Sequence, residues 1–499
     1  VAGRLSSGVD RFIGVFAPGT AVKRAFAREA LTRLRYETYA AAKTDRLTGD
    51  WQPLNTNVND IIGASSSAVR GRVRQLVRDF PYFARAVQSI VDWSVGDGII
   101  YQARVQDAAG KLVTKLNQQI EDAFAWWAEQ ADISGKLHYY EIQQLAKRQD
   151  VESGEFIIVK TISKDRNRYL PFCLQIFEAD WLSSPVTGAL SAAVKIDQGV
   201  EYSSATGKVL AYHFVDPDSW GKTIRIDAKN VIHGFQTLRP GQLRGISPLA
   251  PGVLVAHSLH DYMGAEIDAA KLAAKYLAMV KTPNPLARQV QGVVDPASGK
   301  KIETLENAII EYLRPGEEIT FANNPRPGDN FPPFVKLVLC MLAVTAGVPY
   351  ELVSGNYEGL NYSVARTVRN DFSQVLRPVS RRHMRQACLP ILPEFMDWAV
   401  MAGRLDLPGY YTNPREYLRS EWHPPGQEPL DPLKENKADA DAIANLIRSP
   451  QEVVRRRGRE LEDVYNEIAA ANEMAGKLGL EVKDTSSALA NNPAAVEEQ

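Results

Sequence analysis

The run from Ser247 to Lys281 constrains this chain more than any other segment. Ser247 suits a helix N-cap and Pro248 a first helical position, and Pro283 and Pro285 stop the helix at its far end. At about 1.5 Å per residue such a helix is a rod of about 50 Å, longer than most globular helices. Ala250, Ala256, Ala265, Ala269, Ala270, Ala273, Ala274 and Ala278 make its surface smooth, so neighbours can approach closely. Residues 282–330 then read as an insertion rich in Pro, Gly and Asn, with a short helix at about Glu303 to Leu313 and a strand near Glu318 to Phe321. An apolar helix resumes over 333–347 and ends at Gly347 before Pro349. A long helix and a return helix around a small module make a stalk with a tip.

The 499-residue chain is long enough for about three domains in all. Ahead of the stalk, residues 1–20 read as a loose arm, followed by a basic amphipathic helix from Ala21 to about Lys43. Residues 66–95 carry Val69, Val73, Leu76 and Val77, then Phe83, Val87, Ile90 and Val91, at helical spacing, and Pro81 separates two helices. A Gly96-Asp97-Gly98 turn leads into a strand at Ile99, and another helix covers 111–130. From Gly154 to Phe235 short apolar runs punctuated by Gly, Pro, Asp and Ser read as an antiparallel meander: Phe156–Val159, Phe172–Phe177, Val194–Tyr202, Val209–Val215, Thr223–Ile226 and Val231–Phe235. The fold class is α+β, with helices preceding the sheet. Beyond the stalk come a Gly-, Asn- and Tyr-rich loop from Ser354 to Tyr362 and a helical stretch to about Gly403. Residues 405–432 are irregular. Two last helices cover Leu433 to Arg448 and Ser449 to Lys477, the second opened by a Ser449-Pro450-Gln451-Glu452 capping box.

Charge and motifs exclude several functions. Lys plus Arg number 58 and Asp plus Glu 59, so the chain cannot hold nucleic acid by bulk positive charge. Cys173, Cys340 and Cys388 are too scattered for a disulfide framework or a thiolate zinc site. No run of about 20 apolar residues is present; the longest, Leu337 to Tyr350, is too short to span a bilayer. With no signal-like N-terminus, the expectation is a soluble protein of a reducing compartment. There is no G-x-x-x-x-G-K-[ST], H-E-x-x-H or G-x-S-x-G, so no enzyme signature is present and no cofactor or metal is expected. His257 and His260, beside Asp261, have a metal-compatible spacing, but the carboxylates are not placed as a di-metal bundle needs; polar residues at a helix–helix contact is the reading preferred. Arg377, Arg381 and Arg385 share one helical face, with Arg366 and Arg369 one to three turns earlier. They suit carboxylates across a subunit boundary or, alternatively, phosphates. Arg455-Arg456-Arg457-Gly458-Arg459 is followed by Glu460, Glu462 and Asp463, which favours a solvated or inter-subunit face.

Five strings in order resemble the lambda-type bacteriophage portal proteins. They are Tyr36-Glu37-Thr38-Tyr39-Ala40-Ala41-Ala42 with Trp51; Arg70 to Tyr82 closing on Val95-Gly96-Asp97-Gly98; Val231-Ile232-His233 with Arg239 to Gly245; Gly347-Val348-Pro349-Tyr350-Glu351-Leu352 with Asn356-Tyr357 and Asn361 to Arg366; and Arg457-Gly458-Arg459 running into Asp463 to Ile468. The fourth is the most specific. The resemblance implies a portal fold: N-terminal arm and helix 1–50, wing 51–245, first stem helix 246–281, clip 282–330, second stem helix 331–349, tunnel loop, tunnel helix and wing return 350–432, crown 433–482 and disordered tail 483–499. It implies a ring, usually a dodecamer, at one capsid vertex of the virion, assembled in the host cytoplasm and acting as a conduit for double-stranded DNA during packaging and ejection. Asn356, Tyr357, Glu358, Leu360, Asn361 and Tyr362 would form the tunnel loop, and the clip, with Lys300, Lys301, Glu303 and Glu306, would meet terminase and adaptor. Implied partners are further copies of the chain, DNA without sequence specificity, major capsid protein or scaffold, the terminase large subunit and a head–tail adaptor, with no membrane. The competing readings are a terminase-type enzyme, which lacks its Walker A loop here, and another head or tail structural protein.

Overall fold

The structure is a computed structural model. It describes residues 55–216, 222–275, 278–281, 293–294, 301–302, 318–321, 328, 330–424, 426, 431–457, 459 and 461–478, together with Lys23. The chain divides into two compact units, Val1–Asn57 and Val58–Gln499, and the second is described below. The arm and most of the basic helix expected before residue 50, the clip helix expected at Glu303 to Leu313 and the tail after Val482 lie outside the described residues.

Helices α1 (Val58–Asp79) and α2 (Pro81–Ser94) are separated as the sequence requires, with Pro81 at the first turn of α2, where its missing N–H costs nothing. Strand β1 (Ile100–Ala103) follows, then α3 (Thr114–Ala128) and α4 (Tyr139–Glu152). Helix α4 is not visible in apolar periodicity, because its buried face includes Gln143, Lys147 and Asp150. Its start is nonetheless written in a capping box formed by His138 and Glu141.

The expected meander is two antiparallel sheets. Strand β2 (Glu155–Ile162) lies between β3 (Phe172–Phe177) and β9 (Val231–Phe235). The second sheet runs β4 (Gly188–Ala189), β5 (Val194–Asp197), β6 (Val200–Ser203), β7 (Val209–Val215) and β8 (Thr223–Asp227). The segment Val194–Tyr202, expected as one strand, is a hairpin, turned by Gln198 and Gly199, which both take positive φ. Ile157 and Val159 of β2 share a core with Val200, Tyr212 and Phe214 of the second sheet.

The long stem helix is shorter than its sequence suggests. A 3-10 turn over Ala250–Gly252 precedes α5, which spans Val253–Lys275. Pro251 explains the late start: it has no N–H to offer the Ser247 carbonyl, so the α ladder cannot begin at Ser247. Ser247 instead caps the turn locally, its Oγ accepting from Leu249 N at 3.2 Å and donating to Val151 O at 2.7 Å. At the far end β10 (Ala278–Lys281) pairs with β13 (Glu318–Phe321), and β11 (Val293–Val294) pairs with β12 (Lys301–Ile302). Strand pairing thus overrides helix propensity at Ala278, while the expected strand at Glu318–Phe321 is present.

The return helix α6 (Phe331–Ala346) runs antiparallel to α5: Gly252 lies against Thr345, and Tyr262 packs against Phe331 and Phe334 with ring centroids 5.7 and 5.3 Å away. Short α7 (Tyr350–Ser354) and long α8 (Tyr362–His383) follow. The helical run to Gly403 is not uniform: a π segment (Met384–Cys388) and a 3-10 turn (Leu389–Ile391) precede α9 (Leu392–Met401). Within the region expected to be irregular, α10 (Pro414–Tyr417) is followed by β14 (Ser420–His423), which pairs with β1. The last helices are α11 (Pro432–Ala444), α12 (Pro450–Arg456) and α13 (Leu461–Lys477). Ser449 caps α12 through Glu452 N at 3.1 Å, but the single helix expected to Lys477 is broken between Arg456 and Leu461.

Two further cores hold these parts. One gathers Phe124, Trp127, Tyr139, Phe172 and Phe395, with the Trp127 and Phe172 rings stacked 5.5 Å apart. The other joins α1 and α2 to α5, α6 and α8 through Val87, Leu259, Leu342, Phe372 and Leu376. Full burial of each such side chain is worth about 1.5–3 kcal/mol.

Candidate functional site

The loop between α7 and α8 is defined by its two ends. Gly347 ends α6 and Gly355 ends α7, both in the left-handed conformation that glycine adopts most readily. Asn361 begins α8: its Oδ1 accepts from Val364 N at 2.9 Å. In between, Asn356 Oδ1 accepts from Glu358 N at 2.9 Å, so Asn356 shapes the turn. Asn356, Tyr357, Glu358, Asn361 and Tyr362 are exposed and Leu360 is half-buried. Tyr362 is the first residue of α8, with Lys434 Nζ 5.7 Å from its ring centre. The residues selected from the sequence therefore do share one exposed loop and helix start.

Helix α8 buries Phe372 and Leu376 and turns Arg366, Arg377 and Arg381 outward. Arg366, Arg377, Arg381 and Arg385 are exposed and make no ion pair among the described residues. Arg385 lies in the π segment, so its azimuth departs from the simple helical face the sequence suggests. Arg369 is half-buried, its guanidinium 6.0 Å from the centre of the Trp93 ring.

The root of α8 is fixed by residues that motif reading passes over. Asp150 accepts from Lys147 Nζ at 2.6 Å and from Arg382 Nη2 at 2.8 Å. Burial alone would raise the Asp150 carboxyl, but Lys147 and Arg382 hold it below the usual range. His383 is buried beside them against Phe156, and burial, then Lys147, pulls its pKa down to about 3. Ser380 Oγ donates to Ser94 O at 3.0 Å. In sequence, Arg382 is one more arginine in a basic run, with nothing to mark it as the one that pairs inward.

A second buried hub lies where the sheets meet the stem. Glu155 accepts from Arg244 Nε at 3.0 Å, from Gly245 N at 2.8 Å and from His233 Nε2 at 3.1 Å, with Arg70 Nη1 at 3.5 Å. Burial would raise this carboxyl, but Arg244 and His233 hold it far below the usual range. Gly154 and Gly245 make the approach feasible: a Cβ on Gly154 would sit 2.0 Å from Ile246 C, and one on Gly245 2.1 Å from Gly154 O. Arg70, His233 and Arg244 all fall within the quoted strings; Glu155 does not.

The other candidates separate. Lys301 is in β12, while Lys300, Glu303 and Glu306 lie outside the described residues. His257 and His260 are exposed on α5, near Asp261 at 3.4 and 3.7 Å, and the His260 ring lies edge-on to Phe80 between α1 and α2. No group of three or more His, Cys, Asp or Glu among the described residues could hold a metal. Arg455 pairs with Glu421 at 3.1 Å, Arg457 with Asp439 at 3.8 Å and Arg459 with Glu467, so much of this basic cluster is neutralised within the chain. Cys173 and Cys388 are free and buried, and burial pushes the Cys388 thiol up to about 12. No described helix is long and apolar enough to cross a membrane.

Residues 44–379 match the family described as phage portal protein, lambda family. The chain belongs to the lambda family of phage portal proteins. It is 25% identical over 469 residues to a protein named "Probable portal protein" from Halomonas phage phiHAP-1, covering 89% of this chain and 88% of that one. It is 20% identical to "Portal protein B" of Escherichia phage lambda, covering 83% and 85%. Among solved structures, a chain from "Neck of empty GTA particle computed with C6 symmetry" is similar with a TM-score of 0.46 at 15% identity, covering 83% of this chain and 96% of that one. The role of this chain is that of a portal protein in a phage capsid.

Proposed function

We propose that this chain forms a closed ring of about a dozen copies at one capsid vertex, and that double-stranded DNA passes through the ring during packaging and ejection. The family match across residues 44–379 carries the reading, because that range takes in strands β1 to β13, both stem helices and the loop between α7 and α8. The protein acts as a conduit without chemistry of its own and without a cofactor. The 355–361 loop lines the channel. Its amide and phenol groups contact DNA weakly, and Glu358 repels the phosphates and keeps the duplex centred. Arg366, Arg369, Arg377, Arg381 and Arg385 face a neighbouring copy or the DNA. The strands between α5 and α6, with Lys300, Lys301, Glu303 and Glu306, form the clip that meets the terminase large subunit and the head–tail adaptor. The outer sheets face capsid protein or scaffold. Assembly takes place in the host cytoplasm.

The test is native mass spectrometry with negative-stain averaging of protein purified from cells that co-express its scaffold. A ring with a central hole and the mass of about twelve copies of the chain is expected. A compact dimer with no hole overturns the reading.

A further inference from the structure

The segment between α9 and α10, residues 402–413, is pinned at several points and still leaves a cavity. Gly403 takes a left-handed conformation at the end of α9, its N–H donating to Val400 O at 3.0 Å, and Gly409 turns the chain again with a φ of 77°. Leu405, Leu407 and Tyr410 are buried in the core that holds Phe124 and Trp127. The Tyr410 hydroxyl donates to Asp397 Oδ1 at 2.7 Å, and the Tyr417 hydroxyl to Pro408 O at 2.6 Å. A Cβ on Gly403 or Gly409 would meet no atom within 4 Å. Both glycines line a surface cavity of about 520 Å³, the size of a small-ligand site. Its floor is apolar, made by Leu405, Leu407 and the Tyr410 ring. At its rim Tyr411 is 65% exposed, its ring 5.2 Å from that of Tyr410. Asp406 is the one charged residue among the described residues that line the cavity. It is exposed and makes no ion pair among the described residues. Arg404, although it sits between two lining residues, is turned to Tyr169: its guanidinium is 4.7 Å from that ring centre and its Nε donates to Tyr169 O at 3.3 Å. Trp126, also 65% exposed, stacks on the same Tyr169 at 6.5 Å.

We propose that this cavity receives a lysine side chain of a partner protein, a reading that goes beyond the channel and does not depend on the ring. The chemistry is complementary along the whole side chain. A lysine carries a flexible apolar stem and a compact ammonium. The stem covers Leu405, Leu407 and Tyr410, while the ammonium reaches the unpaired Asp406 carboxylate and the face of Tyr411. An arginine is less suited, because its planar fork calls for two matched acceptors and the lining offers one carboxylate. The cavity has room for the lysine stem and one neighbouring apolar side chain. Its surroundings favour a protein over a free amine. Trp126, Tyr169 and Arg404 form an exposed ridge beside it, and Trp, Tyr and Arg are the residues that most often anchor protein interfaces. A free amine would fill the cavity and leave that ridge unused. The pinned loop needs no rearrangement to receive its partner, so little ordering cost is added to binding.

Saturation-transfer NMR of the peptide acetyl-Leu-Lys-Leu-amide with the full-length protein, at about 0.15 M salt, tests the site. The expected result is saturable binding with a Kd of about 1 mM. Asp406→Asn, or uncharged norleucine in place of the peptide's lysine, should weaken it about fivefold, the upper range for one exposed ion pair. Asp60→Asn, which removes the same charge from α1, should leave the Kd unchanged. No saturation by about 20 mM peptide, or equal binding of the lysine and norleucine peptides, overturns the proposal. Equal weakening by Asp60→Asn and Asp406→Asn overturns it as well, since the attraction is then to the surface as a whole. Spermidine that displaces the peptide at concentrations about tenfold below the peptide's own Kd assigns the cavity to a free polyamine and overturns the lysine dock. Each readout is the same whether or not the protein assembles, so failure here leaves the channel reading standing.

Discussion

Glu155 shows how a single residue can join three parts of the fold. Its carboxylate gathers Arg244 from the stem entrance, His233 from β9 and Arg70 from α1. Removing one partner of a buried ion pair leaves the rest uncompensated, which costs about 3–5 kcal/mol. Glu155→Gln is expected to lose that much in urea unfolding; a loss under about 1 kcal/mol would show the hub is not a stability element. His383 makes a pH-dependent contribution of defined sign. Its folded pKa, about 3, lies below the ordinary 6.5, so between these values the unfolded chain binds a proton that the folded chain refuses. Stability therefore falls as pH drops from 6.5 toward 3, by on the order of 4 kcal/mol at the low end. In His383→Leu this component should be absent from the pH dependence of the unfolding midpoint, and an unchanged profile would sink the assignment. Three members of the Glu155 hub are legible as motif residues, but Glu155 itself is not. A buried charge inside an apolar strand gives no periodic signal, and its partners His233 and Gly245 are 78 and 90 residues away.

At the scale of elements, sequence reading succeeds where punctuation is local and fails where long-range pairing decides. Pro81, Gly347 and Ser449 mark true ends because caps and breakers act over a few residues, whereas the short α7 that Gly355 ends is not read from the sequence. The end of α5 cannot be placed locally, because only the distant β13 turns Ala278–Lys281 into a strand. Helix α4 escapes notice because buried polar residues mask its apolar face. The loop between α7 and α8 is legible from its Gly, Asn and Tyr content over Ser354 to Tyr362, and the structure shows Gly355 and Asn361 as the caps that bound it. Those caps also define how it can be shortened. Replacing Asn356–Leu360 with two glycines keeps the left-handed Gly355 and the Asn361 cap, so thermal stability should change by under about 1 kcal/mol while DNA packaging in a defined assay falls. Asn361→Ala alone should cost about 1 kcal/mol. A loop-shortened protein without its oligomer mass would make the loop a structural element rather than a channel lining.

For the whole molecule, the balance of charge decides what a channel can do. Within the chain 58 basic side chains stand against 59 acidic ones, so the proposed ring would have no excess of positive charge with which to hold DNA. A ring multiplies every inward side chain by the number of copies, and a single uncompensated lysine line would grip the duplex through counterion release. The exposed loop carries Glu358 and no Lys or Arg, and much of the Arg455–Arg459 cluster is neutralised by Glu421, Asp439 and Glu467. The four exposed arginines of α8 and the π segment after it are the exception. If they face a neighbouring copy, the assembled protein should bind double-stranded DNA more weakly than about 10⁻⁵ M at about 0.15 M salt, with a shallow dependence on salt concentration. If they line the channel, the affinity should be higher. Arg377→Gln with Arg381→Gln should then flatten the salt slope by about one for each phosphate that is no longer neutralised. Fluorescence anisotropy on the assembled protein, wild type and double variant, separates the two arrangements. A steep wild-type slope that the double variant leaves unchanged would place the phosphate contacts on other residues altogether.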